Sequence, residues 1–175
     1  MSVLNQKKKG VNVMKKVIMS LFVFLFFVSI SSAAHAVLLS SGGSATPLGA
    51  SSPGGTTLAT ITVPFAGIFG EIAGTVKQNV LQNPTGMLFE YLINSTGNGD
   101  ITQATASFFG DFTTDIDGPI FPYTPNVDVV TRGPLGQTVT WSYIEDAILQ
   151  GGQSGTLWVQ TNAPWYGKGG FSLIG

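Results

Sequence analysis

The side chains best suited to chemistry are scarce in this chain, and the shortage narrows what it can do. Its only histidine, His35, lies in a segment marked for removal, and cysteine is absent. From Val37 onward there is no imidazole and no thiol, which excludes Ser-His-Asp and Cys-His catalysis and any imidazole or thiolate metal site. A disulfide framework and a lipid anchor on cysteine go with them. A Ser-Lys dyad would have to use Lys77 or Lys168, and neither stands in a recognisable local pattern. Carboxylates remain. Asp111, Asp115 and Asp117 cluster in Asp111-Phe-Thr-Thr-Asp-Ile-Asp-Gly118. Hard cations take several oxygen ligands on a tight turn, so calcium is the one cofactor this cluster would fit. Thr113, Asp115, Asp117 and Gly118 align with the first, third, fifth and sixth positions of an EF-hand loop. However, Thr113 replaces the leading aspartate, and Thr124 stands where a bidentate glutamate belongs. A solvated acidic loop between strands, with no cofactor, fits the pattern better. A two-carboxylate glycosidase could draw on any acid pair, but no pair stands out by its spacing.

The aromatic residues offer binding rather than catalysis. Phe121, Tyr123, Trp158, Trp165 and Tyr166 fall at expected loops or on outward faces. A ring with an apolar body and a nearby Asp or Asn suits the face of a sugar, which makes these five the candidate carbohydrate-binding residues. The alternative is that the rings simply close the ends of the fold. Asn94-Ser-Thr96 has the form of a glycosylation acceptor, but it reads more simply as a turn.

What positions these residues begins with an export segment. Lys15 and Lys16 precede the 14-residue apolar run Val17–Ile30, and small residues follow as far as Ala34-His35-Ala36. A basic start, an apolar stretch and a small-x-small site define a secretory signal peptide, here a signal helix within 1–36 cleaved after Ala36, with Ala34 and Ala36 as the small residues of the site. The run is shorter than the roughly 20 residues of a membrane span. Membrane contact is therefore expected only through this segment while it is uncleaved. Met14 begins a tidier signal than Met1 and is an alternative start. Cleavage would leave 139 residues, the size of one domain with a real core. The expected location is outside the cytoplasm, either extracellular or periplasmic.

Charge sharpens the partner class. Five of the eight basic residues lie in the signal, so Lys77, Arg132 and Lys168 face nine acids in the remainder, a formal charge of −6. Three scattered cations cannot neutralise a run of phosphates, so nucleic acid and anionic membrane surfaces are excluded as expected partners.

The mature chain reads as all-β. Segment 37–57 is rich in Ser, Gly, Ala and Pro and is expected to be a flexible leader giving at most one short strand. The domain proper is expected over 58–175. β-like runs recur at Leu58–Phe65, Glu71–Leu81 with Gly74 as a bulge, Met87–Asn94, Ile101–Phe109 and Asp111–Ile116. Further runs follow at Val127–Thr131, Gln137–Glu145, Thr156–Thr161 and Phe171–Ile174. Met87, Phe89, Tyr91 and Ile93 share one face of what should be a central strand, and Val139, Trp141 and Tyr143 alternate inward. Turn residues 94–100 predict a hairpin between the third and fourth runs, and Arg132-Gly-Pro-Leu-Gly136 predicts another. No apolar period of 3.6 residues persists outside the signal. About eight strands at short spacing predict an antiparallel β-sandwich, immunoglobulin-like or jelly-roll-like.

The order of four stretches also resembles a known group. They are Gly86-Met-Leu-Phe-Glu-Tyr-Leu-Ile-Asn-Ser-Thr-Gly97, then Ile101 through Phe112-Thr-Thr-Asp115, then Arg132, Gly136 and Val139-Thr-Trp141, and last Gly151-Gly-Gln-Ser-Gly-Thr-Leu-Trp-Val-Gln-Thr-Asn-Ala163. In this order they resemble the exported β-sandwich proteins of bacteria with the exosortase, or PEP-CTERM, sorting system. The resemblance implies a secreted, non-enzymatic protein linked to extracellular polysaccharide, biofilm matrix or cell-surface components, and it supplies no catalytic residues. Members of that group continue into a Pro-Glu-Pro motif, a membrane helix and a basic tail, none of which stands before Gly175 here. The expectation is accordingly simple secretion, or a sequence cut short of its tag.

Overall fold

A computed structural model describes residues 36–68, 70–119 and 125–175. These residues form two antiparallel sheets and no helix. Eleven strands run in chain order: β1 Val37–Leu38, β2 Ser44–Ala45, β3 Thr56–Ala66, β4 Ala73–Asn83, β5 Gly86–Ser95, β6 Gln103–Ser107, β7 Thr114–Asp117, β8 Val129–Arg132, β9 Thr138–Ser142, β10 Leu157–Thr161 and β11 Phe171–Ile174. The larger sheet has the order β1-β7-β10-β5-β4-β3 and the smaller β11-β6-β9-β8-β2. The all-β sandwich follows from the alternation. On β5, Phe89, Tyr91 and Ile93 face the smaller sheet, and on β9 Val139 and Trp141 face back. With Ile116, Leu157, Val159 and Val130 they fill one shared core. β5 is central, between β4 and β10, as its two-sided apolar pattern predicts.

Three expectations are corrected. The runs on either side of residues 94–100 are not a hairpin, because β5 belongs to the larger sheet and β6 to the smaller. The loop between them is a crossover, held where Gly97 and Gly99 donate to the carbonyls of Ala73 and Glu71. The 133–136 turn does join an antiparallel pair, β8 and β9. There is no bulge at Gly74, whose register with β3 and β5 is unbroken; the irregularity lies in β3 between Thr57 and Ala59. Glycine is needed at 74 for another reason: a Cβ would strike the Asn94 carbonyl across the ladder.

The third correction concerns segment 37–57, which is part of the sandwich rather than a loose leader. It supplies two strands, β1 on the edge of the larger sheet beside β7 and β2 on the edge of the smaller beside β8. Residues 46–55 then cross the outer face of the larger sheet as a strap. Backbone N–H groups of Leu48, Gly49 and Ala50 donate to the Asp117 carboxylate on β7 at 2.9–3.1 Å. The Ala50 carbonyl accepts from the Trp158 indole on β10, the Ser52 hydroxyl donates to Glu90 on β5, and the Gly54 carbonyl accepts from Asn83 on β4. The strap therefore meets four neighbouring strands in their sheet order before turning into β3. Under it Ala50, Leu81, Leu88 and Trp158 form a second apolar cluster. Arg132 fastens the same segment from the other sheet. Its buried guanidinium donates to the carbonyls of Leu39, Phe109, Gly110, Phe112 and Gly136, and burial pulls its pKa down without discharging it.

Candidate functional site

The two sheets do not cover each other completely. β3 is the outermost strand of the larger sheet, and β11 is the outermost strand of the smaller on the same side of the molecule. The inner face of β3 extends past the core. Ile61 and Val63 remain 54% and 48% exposed although they point the same way as buried Val76 and Val80. Between these edges lies a cleft of about 1030 Å³. Its floor comes from Ile61, Val63 and Phe65 on β3 with Val76 and Val80 on β4, and its far wall from Phe171 and Leu173 on β11. Tyr91 closes the inner end, with its ring stacked on Phe171 at 4.9 Å between centroids and tilted against Trp141 at 5.9 Å. Burial pushes the Tyr91 hydroxyl pKa up, so it stays neutral through the physiological range.

The mouth is formed by the 166–170 loop. Tyr166, Lys168 and three glycines line it, and Trp165 stands just outside at 67% exposure. Phe108 is 68% exposed and rests against Gly169 and Gly170; it is the one non-glycine residue with a positive φ, 83°, among the described residues. The described lining is mostly aliphatic and aromatic, with Gln78 and Lys168 among its few polar residues; the Thr60 hydroxyl turns to the outer face, where it donates to Asn79. No aspartate or glutamate is among the described lining residues. Such a cleft can enclose an apolar group and meet a polar or anionic end at the mouth.

The residues singled out from sequence are dispersed by this arrangement. Trp165 and Tyr166 sit together at the mouth, whereas Trp158 is 3% exposed beneath the strap. Its place on an outward-facing position holds, but its exposure does not: residues 46–55 cover it, and its indole N–H is satisfied by Ala50. Trp158 is therefore removed from the set of surface rings. Phe121 and Tyr123 lie outside the described residues, as does Ala34 with the other residues of 1–35, while Ala36 packs against the strap cluster.

The acidic cluster separates in the same way. Asp115 and Asp117 point to the outer face of β7, and Asp111 is exposed in the preceding loop. The Asp117 carboxylate, fully buried, accepts from the backbone of Leu48, Gly49, Ala50 and its own neighbour Gly118. Three of these backbone donors meet Oδ1 and the fourth meets Oδ2, so the Asp117 carboxylate is tied to the strap. Among the described residues no group of three His, Cys, Asp or Glu is placed to hold a metal ion. Lys77 lies on the outer face of β4, away from the cleft, and Lys168 on its rim. The cleft itself was missed from sequence. Its only local signal is Ala59, Ile61 and Val63 alternating on a strand with no charged residue. No protein-family model, curated protein or solved structure matches the chain.

Proposed function

We propose that the chain is an exported, non-enzymatic bacterial protein of the cell surface or extracellular matrix, acting as a binding module through the open end of its sandwich. The observation that carries this is the 1030 Å³ cleft with an apolar floor and the single cation Lys168 at its mouth. The shape and lining fit an amphiphilic occupant, with its apolar part against Ile61, Val63 and Val76 and its polar or anionic end at Lys168. The basic, apolar and small-x-small pattern of residues 15–36 supports the location. The absence of histidine and cysteine after His35 supports a non-catalytic role. The likeness to exosortase-associated sandwich proteins points the same way, towards extracellular polysaccharide or cell-surface partners. The test is fluorescence of N-phenyl-1-naphthylamine, which brightens in apolar surroundings. Saturable brightening that Val63→Asp abolishes is the expected result. Equal brightening in the variant, or none in the parent, would overturn it.

A second reading has its own observation, the exposed Trp165 beside Tyr166 at the mouth. Paired rings of this kind suit a polysaccharide lying across the opening. Retardation in polysaccharide affinity gels that disappears with Trp165→Ala is the outcome that would favour it.

A further inference from the structure

Strand β3 is long, uncharged and, among the described residues, paired on one side only. Of its eleven residues, Thr56–Ala66, all but Leu58 pair with β4, and among the described residues nothing pairs with its other backbone edge at the border of the larger sheet. Natural edge strands are guarded by charge, proline, bulges or covering segments, because an open row of N–H and C=O groups pairs with any matching strand. β3 has no Asp, Glu, Lys or Arg. It does have two interruptions, the register shift between Thr57 and Ala59, which leaves Leu58 unpaired, and Pro64, which has no N–H to give. Both stand three residues from Ile61, one on each side. The stretch between them, Ala59-Thr-Ile-Thr-Val63, is β-branched apart from its first residue.

We infer that β3 pairs with β3 of a second copy of this chain, antiparallel and about a two-fold axis at Ile61. In that register Ile61 faces its own symmetry mate, Thr60 faces Thr62, and Ala59 faces Val63. Leu58 and Pro64 then fall opposite each other, so the interruptions of both copies coincide at the two ends of the ladder. No other two-fold register aligns them. Cross-strand pairs of β-branched residues, and of threonines, are favourable in antiparallel sheets. An isologous contact also closes at two copies. The occupant is a second copy because the edge is self-complementary and because of where charge lies. The nine acidic residues all sit elsewhere, so two copies repel over much of their surface and least along this neutral strand. Pairing also brings the exposed Ile61 and Val63 of each copy beside those of the other, extending both cleft floors. The inference stands whatever the cleft holds.

The absence of cysteine makes the test direct. Ile61→Cys in the full chain is expected to give a disulfide-linked dimer under mild oxidation, and Thr57→Cys, which faces Phe65 of the other copy, is not. In sedimentation the parent protein is expected at twice the chain mass, and Ile61→Lys, which sets like charges face to face, at the mass of one chain with its β-type dichroism unchanged. A parent protein that stays at one chain mass overturns the inference. So does a dimer that survives Ile61→Lys, or cross-linking equally fast at 57 and 61.

Discussion

The two faces of the larger sheet show opposite fates for side chains of the same kind. On the outer face Leu81, Leu88 and Trp158 are buried because the 46–55 strap lies over them. On the inner face Ile61 and Val63 are half exposed because the smaller sheet ends at β11 and nothing among the described residues continues it. Alternation decides which way a side chain points. What lies above it decides whether it is buried, and that depends on segments distant in sequence. The outer face should therefore behave as core and the inner end as a surface for binding.

The sharpest way to break this contrast is Trp158→Ala. A ring held beneath the strap should cost about 4 kcal/mol of unfolding free energy, as for other large aromatic-to-alanine changes in cores. Trp165→Ala at the mouth should shift stability by less than about 0.5 kcal/mol. Urea denaturation of both variants measures the difference. Equal effects would mean that the strap does not enclose the outer cluster.

Asp117→Ala comes next. It removes the carboxylate on which three strap amides converge and leaves those donors unsatisfied, a loss of about 3 kcal/mol. Limited proteolysis should then cut within 46–55 first, while the β5–β10 ladder persists. Asp117→Asn retains acceptors and should lose less. Cutting elsewhere first would show that the strap is held by something other than this carboxylate.

How much of this could be seen in the residues follows from range. Met87–Asn94, Gln137–Glu145 and the turn at 133–136 were legible because alternation and turn chemistry are local, and the structure returns them as β5, β9 and the β8–β9 turn. The crossover after Ser95 was not, since Asn94-Ser-Thr-Gly-Asn-Gly-Asp100 is equally good chemistry for a hairpin and for a passage between sheets. Segment 37–57 looked loose because its order comes from side chains elsewhere, from Asp117, Arg132 and Trp158, and not from its own Ser, Gly and Pro residues. The same dependence hid Trp158. At the cleft, the residues of β3 were legible as a strand, but that it lacks an opposing strand was not, because that is a property of the strand order.

Where the cleft meets the core, Tyr91 offers a pH-dependent measure of enclosure. Its pKa is raised in the folded protein by burial, as is that of Tyr143. A phenol with a folded pKa above its unfolded value of about 10 contributes stability that is complete below that pH. Above it the unfolded state releases the proton first, so stability falls by up to about 1.4 kcal/mol per pH unit for each such tyrosine. Tyr91→Phe should make the decline above pH ~10 shallower by one proton's worth. An unchanged slope would mean that solvent in the cleft reaches the Tyr91 hydroxyl.

The smallest expected effect is on the open floor itself. Val63→Asp places a carboxylate where the native side chain is already half in water, so its charge keeps much of its hydration and stability should change by less than about 1 kcal/mol. Leu88→Asp puts the same group on the same sheet, pointing into the covered outer cluster, and should leave too little stability for a folded protein at room temperature. The pair sets coverage against exposure with the sheet and the introduced charge held in common. If Val63→Asp unfolds the protein as Leu88→Asp does, the end of the sandwich is closed in solution by something that sits on β3.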